Sequence, residues 1–187
     1  MLSRAAILIG FLAFAGCTPR PPVDTAVMPQ ASGLADPANA IQYSAWAFAL
    51  SSRTRGDPVS AARAVAALAF AAGAVNTQPA WRTFDPIIAN ELLGAREDVR
   101  RVLGVAPTAT SQDVVNSMLM VASALAHHDA AAALTVLTSP IYTLGPEQTL
   151  AVLTNMPFIH LANVATNQAE NALNGSACIF GCRRGGF

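Results

Sequence analysis

The chain has 187 residues, of which 53% are hydrophobic and 12% are charged, and its formal net charge is zero. This composition excludes intrinsic disorder, which needs low hydrophobicity, and the length beyond the opening segment suits one domain. All eleven basic residues are arginines scattered along the chain. Nucleic-acid binding needs a concentrated basic face, so we exclude that class of protein.

Residues 1–16 have the pattern of a secretory signal peptide. Arg4 supplies a positive charge, residues 5–14 form an apolar run, and the small residues Ala15 and Gly16 follow it. The run is too short to cross a bilayer as a helix, which takes about 20 residues. We therefore expect this segment to direct export and then to be removed.

The sequence FAGC at residues 14–17 places a cysteine directly after the small pair. It resembles the lipobox of bacterial lipoproteins, although leucine is the usual residue at the position of Phe14. The resemblance implies that the Cys17 thiol receives a diacylglycerol, that cleavage occurs just before Cys17, and that the new amino group is acylated. Two or more acyl chains make a stable membrane anchor, because each buried methylene contributes about 0.8 kcal/mol. The alternative is an ordinary signal peptide cleaved near Ala15, which leaves Cys17 as a free thiol.

Residues 17–35 predict a flexible tether that holds the folded part away from the bilayer. The segment is rich in proline, serine, threonine and glycine, and its first prolines are Pro19, Pro21 and Pro22. Thr18 follows the lipidated position. By the sorting rule of enteric bacteria, a residue other than aspartate there implies delivery to the outer membrane. The resemblance therefore implies an envelope protein that faces the periplasm.

Residues 36–175 predict a helical domain in which Asp-Pro pairs mark helix starts. These pairs occur at residues 36–37, 57–58 and 85–86, and they predict helices over 37–50, 58–73 and 86–103. The second helix contains AVAALAFAAGAV at residues 64–75, which is apolar on all sides. A short alanine-rich run of this kind favours a buried central helix over a membrane span.

Four further helices are predicted downstream. Thr110 and Asp113 form a variant capping box ahead of an amphipathic helix, and Asp129 can cap a helix over 130–137. Pro146 and Pro157 mark the starts of the last two helices. No segment shows the alternation typical of strands. The predicted fold class is all-α: a compact bundle of five to seven short helices that follows the signal peptide and the tether.

Residues 176–187 form a tail that contains the two remaining cysteines, Cys178 and Cys182. If Cys17 is lipidated, this even remainder in an oxidising compartment predicts a disulfide between them. The chain-entropy model gives roughly 2 kcal/mol for so small a ring. Free thiols are the first alternative, and a metal or redox site is the second.

The sequence contains no pattern that indicates catalysis, a metal site or a cofactor. The adjacent pair His127 and His128 precedes Asp129, and neighbouring residues on a helix point in different directions. This pair fits a helix C-terminus, where histidine is favourable. The chain has no phosphate-binding glycine loop, no HExxH motif and no nucleophile elbow. We therefore expect a protein that is not an enzyme and holds no cofactor.

The loop NTQPAWRTFDP at residues 76–86 is the candidate interface. It contains Trp81, Arg82 and Phe84, and tryptophan and arginine are enriched at interaction hot spots. The alternative is that Trp81 folds back to fill a core thin in large side chains. Asn163, Asn167 and Asn171 form an amide row that is either a solvated face or a second docking surface.

These features predict a lipid-anchored structural or adaptor protein that binds another envelope component. It is similar to helical accessory lipoproteins, such as the pilotins of secretion systems, in its predicted lipid anchor and its all-helical class alone. The alternative function is a binding protein for a small molecule or a cell-wall fragment, with an apolar pocket between helices near Trp81. A large exposed apolar patch favours a protein partner, whereas a closed pocket favours a ligand.

Overall fold

The computed structural model describes residues 22–181, with side chains up to residue 175. This part of the chain contains seven α-helices and no β-strand. They are α1 (Pro37–Ala49), α2 (Pro58–Thr77), α3 (Pro86–Val102), α4 (Ser111–Ala126), α5 (Ala130–Leu137), α6 (Pro146–Thr154) and α7 (His160–Gly181). The predicted all-α fold is confirmed.

The Asp-Pro pairs start helices as the sequence predicts. The Asp36 carboxylate accepts a hydrogen bond from the backbone N–H of Ala38 at 2.8 Å. Asp57 caps α2 and Asp85 caps α3 in the same way. In each helix the following proline occupies the first turn, where its missing N–H costs nothing.

Helix α2 is the centre of the bundle. It packs against α1, α3, α4 and α6, and α7 closes the far side against α1 and α3. By length and composition α2 is apolar enough to cross a membrane, but 78% of its most apolar window is buried inside the protein. Its many alanines let neighbouring helices approach closely, so it is a core helix.

Helix α2 extends four residues beyond its predicted end at Gly73. Gly73 lies inside the helix, where a methyl group in place of its hydrogen would sit 2.9 Å from the carbonyl oxygen of Asp24. The glycine is therefore required for the close passage of a neighbouring chain segment. It does not terminate the helix.

That neighbouring segment, residues 24–34, packs against the helices, although the sequence assigned it to the tether. We call it the N-terminal strap. Met28 and Leu34 are only 3% and 4% exposed. The Val27 N–H donates to Gln112 Oε1 at 2.7 Å, and Arg63 Nη2 donates to the Ser32 carbonyl at 3.0 Å. The strap thus bridges α2 and α4, and any free tether must lie before Asp24.

Two further differences between the predicted and the observed helices concern α7. It begins at His160 and not at Pro157, so Phe158 precedes the helix and is 53% exposed. At its other end the backbone of α7 continues to Gly181, across the boundary at residue 176 where the sequence placed a separate tail. Gly175 lies within the helix without ending it, because a single glycine costs only about 1 kcal/mol in a helix interior.

Candidate functional site

The candidate interface loop is tightly folded between α2 and α3. At the end of α2, the Gln78 N–H donates a hydrogen bond to the Ala74 carbonyl at 2.9 Å. A 3₁₀ turn, Pro79–Trp81, follows, and the Phe84 N–H donates to the Trp81 carbonyl at 3.0 Å. These local hydrogen bonds fix the directions in which Trp81 and Phe84 leave the backbone.

Trp81 and Phe84 pack against each other and against the core. Their ring centroids are 5.5 Å apart and the rings are inclined at 73°, an edge-to-face pair. Both side chains are half-buried, whereas Arg82 between them is exposed. Trp81 therefore contacts the core with one part of its ring and leaves another part available to solvent. Its core contact fits the alternative that it fills the core, and its role at an interface stays a prediction.

The aromatic pair borders an open groove of about 590 Å³, which we call the Trp81 groove. Residues from three parts of the chain line it: the strap and the start of α1, the loop before α3, and α7. They are Gln30, Ala35, Asp36, Pro37, Gln78, Ala80, Trp81, Thr83, Phe84 and Leu173. Aromatic and aliphatic carbon is thus combined with amide and hydroxyl groups that can hydrogen-bond.

Titratable groups are scarce in this lining. Among the described residues, Asp36 is the one titratable group of the lining, and its carboxylate already accepts the capping hydrogen bond of α1. No histidine, cysteine or second carboxylate from that part of the chain lines the groove to form a proton-transfer or nucleophilic pair with it.

The strap contributes Gln30 to one wall of the groove, and a buried arginine cluster holds the start of the strap. Oδ2 of Asp24 accepts hydrogen bonds from Arg100 Nη2 at 3.0 Å, from the Ser111 N–H at 2.7 Å and from Ser111 Oγ at 2.8 Å. Arg96 Nη1 donates to the Asp24 carbonyl at 2.9 Å. We call these residues, Asp24, Arg96, Arg100 and Ser111, the Asp24 clamp.

Burial and charge explain the strength of the clamp. Arg96 and Arg100 are 8% and 7% exposed, and Glu97 pairs with both, at 3.0 Å and 3.8 Å. Burial of the Asp24 carboxyl opposes its ionisation, but hydrogen bonds from Ser111 and Arg100 outweigh that effect and lower its pKa. The carboxylate therefore stays ionised and keeps the strap attached.

Sequence reasoning missed the clamp. On α3, Arg101 pairs with Asp98, which leaves Glu97 to the two buried arginines. The available signal was the spacing of Arg96 and Arg100, which lie one turn apart beside buried Val99. Such a pair on an apolar face needs a carboxylate from elsewhere in the fold.

The other polar candidates have structural roles. His127 ends α4, with Nδ1 2.8 Å from the Ser123 carbonyl, and Asp129 caps α5. Asn163 donates to the carbonyls of Phe48 and Ala49 at 3.2 Å and 3.1 Å. The amide row on α7 therefore begins by holding the end of α1, and its first member is not a free docking group.

The three cysteines lie at or beyond the limits of the described chain. Cys17 and Cys182 are outside the described residues, and Cys178 contributes only its backbone, within α7. The lipidation of Cys17 and the pairing of Cys178 with Cys182 stay predictions.

The chain matches no protein-family model, and neither the curated proteins nor the solved structures contain a significant match to it.

Proposed function

We propose that this chain is a lipid-anchored, non-enzymatic helical protein of a bacterial envelope and that it binds another envelope component through the Trp81 groove. The lipobox-like FAGC at residues 14–17 supports the anchor. Thr18 after Cys17 supports delivery to the outer membrane, with the domain on the periplasmic side. The groove is the observation that carries the binding role.

The composition of the groove supports a protein partner. Trp81 presents a fixed, half-exposed ring, and Arg82 beside it contacts no described carboxylate within ion-pair distance. Buried aromatic anchors and arginines carry most of the energy of protein interfaces. An open groove accepts a side chain or a short segment of a partner without enclosing it.

The size of the groove supports the second candidate, a small molecule or a cell-wall fragment. Its volume of about 590 Å³ falls within the range of roughly 300–1,000 Å³ that is usual for ligand pockets. The amides of Gln30 and Gln78 and the hydroxyl of Thr83 supply a few polar groups that would orient such a ligand.

Site-specific photo-crosslinking in intact cells tests both candidates. A photoreactive residue at Thr83 lies in the groove, and one at Met120, which is 57% exposed on α4, serves as the matched control. A protein-sized adduct at Thr83, absent at Met120, supports the protein partner. An adduct of a few hundred daltons supports the small molecule.

Two variants distinguish a loss of binding at the groove from a general loss of folding. Trp81→Ala removes the aromatic wall and is expected to abolish the Thr83 adduct. Arg82→Ala changes the rim without removing core contacts, so a weakened adduct there supports a direct contact. If no adduct forms at Thr83, the groove is not the binding site.

A further inference from the structure

A second surface, on α1 and the first part of α2, combines arginine and aromatic side chains. The rings of Tyr43 and Trp46 on α1 are 5.5 Å apart. The guanidinium of Arg63 lies 5.5 Å from the Tyr43 ring, and that of Arg53 lies 5.9 Å from the Trp46 ring. We call these four residues the arginine–aromatic face. Its cation–π contacts hold the arginines over the rings without neutralising their charge.

The positive charge of this face is not balanced by ion pairs. Within residues 22–175, the close ion pairs all involve Arg96, Arg100 or Arg101. Residues 43–63 carry Arg53, Arg55 and Arg63 but a single acid, Asp57, whose carboxylate is engaged by the Ser60 N–H at the start of α2. A chain with no net charge therefore has a locally cationic surface.

Apolar groups adjoin the arginines. Trp46 is 42% exposed, and Leu50, one turn later in the sequence, is 56% exposed. Beside Arg63 lies a groove of about 400 Å³ whose walls include Val59 and Leu119. Arginine, tryptophan and tyrosine mixed with aliphatic side chains are typical of surfaces that sit at the headgroup level of a membrane.

The Asp24 clamp limits the distance between the bundle and a lipid at Cys17. Asp24 is fixed to α3 and α4, and Cys17 lies seven positions before it. Seven fully extended residues span at most about 24 Å. Asp24 lies beside Gly73, which is ten residues along α2 from Arg63, or about 15 Å. The connection is therefore long enough for a lipid at Cys17 to lie in a bilayer that touches this face.

We infer that the arginine–aromatic face docks onto anionic phospholipid headgroups of the membrane that holds the Cys17 lipids. This inference rests on the proposed lipid anchor. An anionic bilayer carries the charge opposite to that of the face. The short chain segment between Cys17 and Asp24 keeps that bilayer within reach. Gln78, which lines the Trp81 groove, follows Arg63 by 15 residues, or about 22 Å along α2, and docking through this face leaves the groove to a partner.

Tryptophan fluorescence in vesicles tests this orientation. The chain has two tryptophans. Trp81→Phe therefore leaves Trp46 as the only reporter, and Trp46→Phe leaves Trp81. The full acylated chain is reconstituted into phosphatidylethanolamine–phosphatidylglycerol vesicles that carry a nitroxide quencher on the headgroup. We expect strong quenching of Trp46 and weak quenching of Trp81.

Charge variants give the quantitative control. An arginine near an anionic surface contributes about fivefold to membrane partitioning. Arg53→Ala with Arg63→Ala should therefore lower the docked-to-free ratio by about 25-fold, as read from Trp46 quenching. Arg101→Ala removes one arginine from an exposed site on α3, outside this face and the Trp81 groove, and it should leave Trp46 quenching unchanged. In the chain that keeps Arg53 and Arg63, raising salt to about 1 M, where the Debye length is about 3 Å, should release Trp46 from the bilayer surface and reduce its quenching.

The outcomes separate the docking from the anchor. If the chain stays in the vesicles but Trp46 is quenched no more than Trp81, the docking inference is overturned and the anchor stands. Quenching of Trp46 that persists in phosphatidylcholine vesicles or at high salt also overturns it. If the chain does not stay in the vesicles, both the anchor and the docking fail.

Discussion

Asp24 is the residue on which the position of the strap depends. Its carboxylate gathers three hydrogen bonds, two of them from Ser111, and it neutralises Arg100. Without it, Arg100 would keep only Glu97, at 3.8 Å, as a charged partner. A buried guanidinium with so little compensation is unfavourable.

We predict that Asp24→Asn destabilises the fold by about 1–3 kcal/mol, because it leaves a buried charged donor with weaker partners. The side chain of Asp24 is 34% exposed, which keeps the value well below that of a fully buried pair. Chemical denaturation of the full chain measures it. Asp98→Asn, which breaks the exposed pair with Arg101, is the matched control and should change stability by less than about 1 kcal/mol.

The pH dependence of the same variant follows from the lowered pKa of Asp24. A carboxyl whose folded-state pKa lies below its unfolded value of 3.8 stabilises the fold above that value. The stabilisation is lost as the pH falls through the folded-state pKa. The difference between wild type and Asp24→Asn should therefore be constant near neutral pH and shrink below pH 3.8. A constant difference down to the acid limit would contradict the role of the clamp.

Among the elements, the crossing of the strap over α2 is the most constrained contact. A Cβ at Gly73 would lie 2.9 Å from the Asp24 carbonyl oxygen and 3.0 Å from the Thr25 Cα. Both atoms belong to the backbone, so no side chain can rotate away. The strap can stay in place only if residue 73 has no side chain.

We therefore predict that Gly73→Ala displaces the strap and costs about 1–3 kcal/mol. Limited proteolysis within residues 24–34 should accelerate together with the loss of stability. Gly175→Ala is the matched control, because Gly175 also lies in a helix but a Cβ there meets nothing within 4 Å. It should be neutral or stabilising by up to about 1 kcal/mol. Equal effects of the two substitutions would show that the crossing does not constrain Gly73.

The helices were predictable because their signals are local. Asp36, Asp57 and Asp85 each cap a helix two or three residues away, and Thr110 with Asp113 completes a capping box within one turn. The strap was not predictable, because its anchor joins Asp24 to Arg100 and Ser111, which lie 76 and 87 residues further along the chain. Its two buried large side chains, Met28 and Leu34, are separated by proline, glycine and polar residues, so no continuous apolar pattern in the sequence marks the strap.

The sequence pointed to the loop beside the groove but not to the groove itself. Trp81, Arg82 and Phe84 stood out by type and by their place between two helices, and Trp81 and Phe84 line the groove. Gln30 and Ala35 complete the Trp81 groove only because the strap returns to the end of α2. The strap therefore supplies one wall of the groove, and a chain with a detached strap should lose that wall.

At the scale of the whole molecule, the proposals define one orientation. The bundle is built around α2, with the arginine–aromatic face near the start of this helix and the Trp81 groove past its end. The clamp fixes the point from which residues 17–23 lead to the membrane anchor. A lipid at Cys17 would hold one face against the bilayer and leave the groove accessible in the periplasm.

The chemical state of Cys17 tests the central claim most directly. Mass spectrometry of the mature protein, purified from membranes, should find an N-terminal peptide that begins at Cys17 and carries diacylglycerol and an N-linked acyl chain. Cys17→Ala should stay unprocessed or leave the membrane fraction. A mature chain that begins elsewhere with an unmodified Cys17 thiol, together with a Cys17→Ala chain processed and located like the wild type, would contradict the account.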